Sequence, residues 1–324
     1  MVDPVDSIAV VENQAKIFEN GNNSICTNFC QATFLDYHSN SKDSKIVSQY
    51  LKGSIEGNDF VFPYNVQNTI DRGTKVFSHS GSPYGGLCID SSSTRIIKLA
   101  YEEIIAWIKN NIKDRSSLEV RLPPAILSDY VSAHEWSLWS LGFQTEVMYL
   151  GRYFKFENNS DYNRNRKRRL SKLLTDSFDL ERMSIPNEDA FEILIKNRLD
   201  RHSSLPIHTI SDFEKIEELN PGVLATLLLS HEGNPCSVAI IFKDKNFNTL
   251  QYLAGSECSF NCGSQDYLVD LLIQESKISK QFLLMGTSTI PVDGHRELND
   301  GLDAYKTSFG GLPYKSDRFV LSIQ

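Results

Sequence analysis

Three apolar, strand-like segments in the second half of the chain constrain its fold more than any other feature. They are VLATLLLSH at 223–231, SVAIIFKD at 237–244 and TLQYLAG at 249–255, and the short polar turns EGNP and KDKNFN join them. Turns of this kind favour antiparallel pairing of consecutive strands. A helical pattern at 264–280, the strand QFLLM, a helix at 298–306 and the final strand DRFVLSI follow. Strands that alternate with packed helices predict a mixed α/β or α+β domain.

The first half has a similar order of elements. Its clearest helix runs from Thr94 to about Ile112, because isoleucine and other apolar residues recur there at helical spacing. Strand-like runs (KIVSQYL, DFVFPYNV, KVFSH) precede this helix, and LEVRL, a helix with two tryptophans and the strand FQTEVMYLGRYFKF follow it. At 324 residues the chain is long for one hydrophobic core. We therefore expect two tandem domains, 1–152 and 153–324.

Composition and charge argue against several classes of protein. The formal net charge of −8 and the pI of about 5.4 disfavour a protein that coats nucleic acid non-specifically. The N-terminal segment MVDPVDSIAVVENQAK has acids where a secretory signal carries basic residues. The longest apolar runs are far shorter than the ~20 residues that span a bilayer. We expect a cytoplasmic protein with no membrane span.

The six cysteines include two pairs spaced by four residues, Cys26 with Cys30 and Cys258 with Cys262. No histidine cluster accompanies either pair at the spacing typical of zinc sites. We therefore expect free thiols and no metal cofactor.

The segment MGTSTIPVDGHRELNDGLDAYKTSFGG at 285–311 is the main candidate for chemistry, since it joins an apolar strand to a polar loop and a short amphipathic helix. On a helical wheel, one stripe carries the apolar residues Leu298, Leu302, Tyr305 and Phe309. Lys306 lies at the margin of this stripe. An ammonium beside an apolar face can bind an anion or stabilise charge during a reaction. The alternative is a structural helix whose lysine reaches out to solvent.

Three other segments carry candidate side chains. In the helix at 163–175, four cations form one face that suits phosphates, although a solvated helix is the alternative: Arg164, Arg168, Arg169 and Lys172. The segment RHSSLPIHTISDF contains His202 and His208, which can titrate near neutrality, although a histidine near a helix end often only caps it. The turn GSPYGG at 81–86 either lets a ligand approach the backbone closely or is a plain turn before a helix.

The order of elements in the second half is similar to the GNAT acyltransferase fold, and two such units in tandem resemble the Fem-type aminoacyl transferases. The segments that carry the likeness are ATFLDYH at 32–38, SPYGGL at 82–87, NRKRRLSK at 165–172, RHSSLPIHT at 201–209 and GTST…DG…LNDGL…YK..FGG from Gly286 to Gly311. Similar Fem-like proteins are often encoded with enzymes of bacterial surface-polysaccharide biosynthesis. The resemblance implies two GNAT-like domains with a cleft between them.

The resemblance also implies an activity. It indicates an acyltransferase that attaches an acyl, acetyl or aminoacyl group to an amine of an amino-sugar, a nucleotide-linked sugar or a cell-envelope precursor. The implied donor is an acyl-CoA or an aminoacyl-tRNA, so tRNA is a candidate partner. Asp266 stands near the helix start where a GNAT enzyme binds pyrophosphate, and an acid there disfavours that anion. A non-catalytic ligand-binding protein on a degenerate GNAT fold is the alternative.

Single residues receive roles from the same resemblance. The predicted catalytic residues are His202 as a base, Asp293 as a group that orients the acceptor or takes its proton, and Lys306 facing phosphate or the developing oxyanion. The predicted substrate-binding residues are Tyr84, Gly85, Gly86, Arg164, Arg168, His208, Thr287, Ser288 and Thr289.

Overall fold

The computed structural model describes residues 6–11, 29, 32–35, 48–69, 73–78, 82–112, 116–157, 162–173, 178–292 and 295–323. The chain forms two compact units, Met1–Tyr149 together with Lys315–Gln324, and Leu150–Tyr314. The end of the chain therefore belongs to the first unit, a feature that no sequence pattern indicated. None of the described helices is long and apolar enough to cross a membrane.

The described residues of the first unit form seven strands, the last of which continues into the second unit, three α-helices and most of the final strand of the chain. Its strands are β1 (Asp6–Val11), β2 (Gln49–Ile55), β3 (Asn58–Thr69), β4 (Gly73–Phe77), β5 (Cys88–Ile89), β6 (Ser116–Arg121) and the first part of β7 (Gln144–Phe154). Its helices are α1 (Ala32–Leu35), α2 (Thr94–Asn111) and α3 (Val131–Ser140). In α2, Ile97, Ile104 and Ile108 are fully buried and pack in one core with the strands, as the sequence predicts, whereas Ile105 and the C-cap residue Ile112 are partly buried against that core.

The second unit is richer in helix. Its helices are α4 (Arg164–Leu173), α5 (Glu188–His202), α6 (Ile210–Leu219), α7 (Glu257–Cys262), α8 (Ser264–Ser279) and α9 (Asp300–Ser308). Its strands are β8 (Phe178–Met183), β9 (Leu224–His231), β10 (Asn234–Lys243), β11 (Phe247–Gly255), β12 (Phe282–Thr287), β13 (Thr289–Val292) and β14 (His295–Leu298), and the unit also includes the start of β15 (Leu312–Ile323). Apolar residues of α8 pack against β9–β12 to form its core.

The two units share one strand plan. The strand order is β1-β2-β3-β4-β6-β15 in the first unit and β8-β9-β10-β11-β12-β7 in the second. In each unit one pair of neighbours is parallel, β4 with β6 and β11 with β12, and the other neighbours are antiparallel. The similar order of elements that the sequence predicts in the two halves therefore corresponds to a similar sheet topology.

Four local expectations need correction or extension. The sequence 256–264 predicts a loop, but the structure has the short helix α7 after β11. In the predicted polar loop of 286–297, the structure has the antiparallel strands β13 and β14, which end at Leu298. The strand β1 was not predicted. The sequence predicts a helix around 29–37, and the described helix there covers Ala32–Leu35.

The cysteine prediction is wrong for Cys258, which forms a disulfide with Cys236 of β10. Sequence spacing could not reveal this pair, because α7 meets β10 only through the tertiary fold. Cys262 is free, as predicted. Cys26 and Cys30 lie outside the described residues.

Candidate functional site

A buried lysine at the end of β12 is the centre of the candidate site. Lys306 lies on α9 and is only 4% exposed. Its Nζ donates hydrogen bonds to the carbonyl oxygens of Gly286 and Thr287, each at 3.0 Å. The lysine does not extend into solvent, so the alternative of a solvent-reaching lysine is excluded. A cationic donor is therefore fixed where β12 ends.

Local structure explains how α9 presents this lysine. Asn299 caps the helix, because its side chain accepts a hydrogen bond from the Leu302 backbone N–H at 2.9 Å. The backbone N–H of Asn299 in turn donates to the Ser288 carbonyl at 2.8 Å, which ties the helix start to the end of β12. Gly286 has a φ of +67°, a left-handed conformation that favours glycine and that turns its carbonyl toward Lys306.

The buried side of α9 carries both polar and apolar residues, so the predicted apolar stripe is right for Tyr305 and Phe309, which pack in the core, and wrong for the two leucines. Leu298 and Leu302 are 40% and 37% exposed, whereas Asp303 and Lys306 are buried together with Phe309. The wheel placed the leucines inward because it counted hydrophobicity alone. The structure buries the charged residues instead, because each of them has a partner.

Arg152 of β7 is the partner of Asp303. Its Nε and Nη2 donate to the two carboxylate oxygens at 2.8 Å and 2.6 Å, a bidentate ion pair, and its Nη1 donates to the Gly311 carbonyl at 3.4 Å. The hydrogen bonds from Arg152 lower the pKa of Asp303 below its usual value. Sequence reasoning missed this pair, which fixes α9 on the end of β7.

The surroundings of Lys306 bring its pKa close to neutral pH. Burial lowers its pKa to about 8, and Arg152 acts in the same direction, whereas Asp303 opposes the shift. The lysine is therefore mostly an ammonium at pH 7 and mostly a neutral amine above about pH 8.

The polar residues after β12 have unequal access to a ligand. Thr287 is partly exposed, whereas Ser288 is completely buried and its backbone N–H donates to the Leu150 carbonyl at 2.7 Å. The Thr289 hydroxyl accepts a hydrogen bond from the Leu150 backbone N–H at 2.9 Å. The structure therefore brings Thr287, Ser288 and Thr289 together with Lys306, and the predicted contacts of these three residues with a substrate stay predictions.

The two parallel strands beside this site part from each other. β11 and β12 are in register over three residue pairs, from Phe247 with Phe282 to Thr249 with Leu284. Over the rest of their described length, 250–255 and 285–287, no register joins them, and β12 pairs with β7 through Thr287 and Gly151. Gly286 and Thr287 therefore lie in the part of β12 that no longer pairs with β11.

A CoA pyrophosphate does not fit the start of α8, where the GNAT fold would place it. Ser264 is completely buried and its hydroxyl lies 2.6 Å from that of Ser237. A Cβ atom at Gly263 would come within 2.9 Å of the Leu173 side chain of α4. The carboxylate of Asp266, in the first turn, is 4% exposed. Protein atoms and a negative charge fill this position.

Two arginines of α4 neutralise that carboxylate. Arg166 forms an ion pair with Asp266, and Arg169 Nε lies 2.7 Å from the same oxygen. The Arg166 guanidinium also stacks 4.1 Å from the Phe309 ring centroid and donates to the Ser308 hydroxyl at 3.1 Å. Arg166 thus connects α4, α8 and α9, a role that the sequence did not reveal.

Other cations of α4 face solvent. Arg164, Lys167 and Arg168 are exposed, and the described part of the chain gives them no ion-pair partner. Arg164 and Arg168 therefore lie where a phosphate could reach them, and their predicted role in binding stays a prediction.

The two candidate histidines have different environments. His202 is exposed at the end of α5, and burial together with Arg198 and Arg201 lowers its pKa. His208 is 5% exposed, and its Nδ1 lies 2.8 Å from the Tyr252 hydroxyl. It also stacks on Phe213, with ring centroids 5.3 Å apart, so it serves the core. The predicted roles of both stay predictions, and Asp293 lies outside the described residues.

The candidates in the first unit are packed against other residues. Tyr84 is 3% exposed, and its ring lies edge-on to Phe29. The Gly85 N–H donates to the Arg121 carbonyl at 2.7 Å, and a Cβ at Gly85 would overlap the Ser78 carbonyl. Gly86, with a φ of +114°, is buried beside it. This close packing alone explains why glycine stands at 85, and the substrate contacts of Tyr84, Gly85 and Gly86 stay predictions.

No family model matches the sequence, and no curated protein matches it. Among solved structures, the crystal structure of FemX is similar, with a TM-score of 0.68 and 12% identity over 91% of this chain and 92% of that one. A C-terminal domain of a putative lysylphosphatidylglycerol synthetase from Agrobacterium fabrum has a TM-score of 0.52 and 14% identity, over 82% and 81% of the two chains. A tandem GNAT protein from the clavulanic acid biosynthesis pathway has a TM-score of 0.50 and 8% identity, over 90% and 88%.

Identities this low establish a shared fold and not a shared activity. They agree with the strand plan of the two units, each with one parallel pair among antiparallel neighbours. The predicted fold class, mixed α/β with two tandem GNAT-like domains, is confirmed. The chain therefore has the Fem-like, tandem GNAT fold that FemX also has.

Proposed function

We propose that this protein transfers an acyl or aminoacyl group to an amine, and that the reaction takes place beside Lys306 in the second unit. The observation that carries the proposal is the position of Lys306 Nζ, which is buried and 3.0 Å from the carbonyl oxygens of Gly286 and Thr287. An ammonium has three N–H groups, and these two carbonyls use two of them. No hydrogen bond among the described residues uses the third, which we assign to a ligand.

That third N–H suits the negative oxygen that forms when an amine attacks an ester carbonyl. In this reaction the new C–N bond forms first, and the tetrahedral intermediate then expels the ester oxygen, which leaves as a hydroxyl with the proton that the amine gives up. Lys306 would donate to the oxyanion and hold no covalent intermediate. A fixed donor in a buried site is effective because it needs little reorganisation as charge develops.

The proton acceptor is proposed from the sequence. A histidine with a lowered pKa, such as His202, is neutral at pH 7 and can take a proton. Asp293 is the second candidate for this role. Each is tested by substitution alongside Lys306.

For the donor we favour an aminoacyl-tRNA over an acyl-CoA. The start of α8 is filled by Ser264, Asp266 and Leu173, which leaves no room for the CoA pyrophosphate in its usual place. The exposed cations of α4 offer a surface for nucleic-acid phosphates instead. The resemblance of the sequence motifs to the Fem-type aminoacyl transferases supports this choice of donor.

For the acceptor we propose an amine of an amino-sugar or of another cell-envelope precursor, including a nucleotide-linked sugar. Partly exposed Thr287 beside Lys306 offers a hydroxyl to such a polar molecule. Both donors are made in the cytoplasm, where we propose that the protein acts.

The direct test supplies the purified protein with radiolabelled aminoacyl-tRNAs or with acetyl-CoA, in the presence of glucosamine or a UDP-linked amino-sugar. We expect amine-dependent loss of the aminoacyl group from tRNA and a labelled amide product. The matched variants are Lys306→Ala and Lys245→Ala, since Lys245 is an exposed lysine of the same unit. Binding of donor without turnover would favour the non-catalytic alternative, and turnover that survives Lys306→Ala unchanged would contradict the proposed site.

A further inference from the structure

Three cysteines of the second unit converge beside the start of α8. The Sγ atoms of Cys236, Cys258 and Cys262 all lie within 4.8 Å of one another. Zinc–thiolate bonds are about 2.3 Å long, so a tetrahedral zinc site places its sulfur atoms roughly 3.8 Å apart. We propose that these cysteines, when reduced, form a three-thiolate site for a soft, thiophilic divalent ion of the Zn²⁺ class.

The fold explains why the three thiols meet. Cys258 and Cys262 are one helical turn apart on α7, so their side chains lie on the same face. Cys236 lies on the adjacent strand β10 and is completely buried. The Ser256 N–H donates to the Cys236 carbonyl at 2.8 Å, which fixes the start of α7 on this strand. Two ligands therefore come from a helix and one from the sheet beneath it.

The surroundings favour thiolates at this place. Cys262 directly precedes Gly263, the N-cap residue of the 16-residue helix α8, and a helix start stabilises a neighbouring negative charge. The Arg169 Nε lies 3.6 Å from the position that a Cβ atom would take at Gly263. Its Nη2 is 3.5 Å from the Phe260 carbonyl of α7. Three thiolates and a divalent ion carry a net charge of −1, and Arg166 and Arg169 together retain one positive charge after pairing with Asp266.

Access and ligand type define the class of ion. Cys262 is partly exposed whereas Cys236 is buried, so an ion can enter from one side and be held from the other. Thiolates select soft ions such as Zn²⁺ over Mg²⁺ and Ca²⁺, which prefer oxygen. A water molecule would complete the fourth position.

The disulfide between Cys236 and Cys258 is the oxidised state of the same cluster, with Cys262 as the remaining thiol. A disulfide occupies two of the three sulfur atoms and therefore excludes the metal. An external dithiol can reduce it: the dithiol becomes a disulfide, and the protein gains two electrons and two protons as two thiols. Binding of Zn²⁺ to the three thiols then releases three protons. A simple cross-link would need only two of these cysteines.

The test uses the full chain with Cys26→Ser and Cys30→Ser as background, so that those two thiols cannot contribute. The protein is reduced with a phosphine, freed of reductant without oxygen, checked by thiol counting and titrated with Co²⁺ as a spectroscopic substitute for Zn²⁺. We expect one Co²⁺ per chain, with thiolate-to-cobalt charge-transfer absorption that Zn²⁺ abolishes. Protein oxidised to the disulfide is expected to show no such absorption.

Cys262→Ser is the decisive variant, because it leaves the Cys236–Cys258 pair intact. It should lose at least ~100-fold in affinity, more than the ~10–100-fold that follows loss of an outer hydrogen-bond partner of a ligand. The control is Cys88→Ser, which alters a buried cysteine of the first unit and should leave Co²⁺ binding unchanged. Thermal unfolding of each variant shows that it is folded. Absence of charge-transfer absorption in the reduced parent, or unchanged affinity in Cys262→Ser, would overturn the proposal.

Discussion

In each unit, the helix that comes after the second strand of the parallel pair carries a buried basic residue, but the surroundings of the two residues differ. In the first unit, α3 follows β6 and buries His134, and in the second, α9 follows β12 and buries Lys306. His134 lies 3.1 Å from the hydroxyl of Tyr101 on α2, inside the hydrophobic core. Lys306 instead binds the carbonyl oxygens at the end of β12.

Burial lowers both pKa values, to about 3 for His134 and to about 8 for Lys306. At pH 7 the histidine is therefore neutral and the lysine mostly charged. Burial without a partner favours the neutral form of a basic side chain. The charged form remains only where other polar groups replace the water that solvated it. The second unit has those groups, two carbonyls and the Asp303 carboxylate.

The backbone next to the parallel strand pair also differs between the two units. In the first unit, the Ser78 N–H donates to the Glu119 carbonyl at 2.8 Å, and the Gly85 N–H donates to the Arg121 carbonyl at 2.7 Å, so both residues lie against β6. In the second unit, β11 and β12 lose their register after three pairs. Backbone hydrogen bonds thus join Ser78 and Gly85 to β6 in the first unit. In the second unit, the part of β12 that does not pair with β11 accepts hydrogen bonds from Lys306.

The largest expected difference between the two units is the effect of a substitution on kcat. Lys306→Ala should lower kcat by about 10²–10³-fold, the usual loss when one donor to an oxyanion is removed. His134→Gln, in the first unit, should leave kcat within about threefold, because His134 is enclosed in the core. Steady-state kinetics of the two variants check this. Equal losses in both would show that the units do not differ as proposed.

Acid should destabilise the protein through His134. Its pKa is about 3 in the folded protein and 6.5 when unfolded, so the unfolded state binds more protons between these values and stability falls as pH falls. Between pH 7 and pH 4 we expect a loss of about 3 kcal/mol in the free energy of unfolding from this residue. Urea unfolding at several pH values, compared with His134→Gln, measures it, and parallel pH profiles for the two proteins would refute the assignment.

Titration of Lys306 should change the stability of the protein in the alkaline range. Its pKa is about 8 in the folded protein against 10.5 unfolded, so the unfolded state again binds more protons and stability rises with pH above about 8. From pH 8 to pH 10 the expected gain is about 2 kcal/mol relative to Lys306→Met, which cannot titrate. Chemical unfolding of both proteins below pH 10 measures the difference. A constant difference would mean that Lys306 titrates normally.

The smallest effect concerns donor binding by α4. Replacing Arg164, Lys167 and Arg168 with alanine should make the salt dependence of tRNA binding shallower by about 2 in log–log slope, because fewer phosphates are neutralised. A charge-matched control replaces Lys196, Lys245 and Lys280, which are exposed elsewhere in the second unit. Filter binding at several salt concentrations gives the slopes. The same change in both triple variants would indicate a general charge effect without a specific surface.

Elements with strong periodicity were predictable from the sequence. The isoleucines of α2 fix its buried face, and the apolar runs of β9, β10 and β11 lie at the expected places with the expected turns. The helix α7 was missed because it has only six residues, half of them polar. The strands β13 and β14 were missed because each has only four residues, although the Asp293-Gly294 sequence between them is typical of a hairpin turn.

The candidate site was predicted only in part. Lys306 stood out in the sequence because of its place after an apolar strand, but its burial did not follow from the helical wheel. Its environment depends on Arg152, which is 151 residues from its partner Asp303. Sequence patterns describe neighbours along the chain, and an ion pair over this separation exists only when the fold brings β7 to α9.

Local sequence patterns were enough to predict most of the order of strands and helices, because apolar periodicity and turn residues act over a few neighbouring positions. The mixed α/β class and the tandem arrangement follow from that order. Which polar groups are buried depends on the tertiary structure. It paired Cys236 with Cys258, Asp266 with two arginines, and Lys306 with the carbonyls of β12. The reason is physical: burying a charge or a thiol is governed by the groups that surround it in space, and those come from distant parts of the chain.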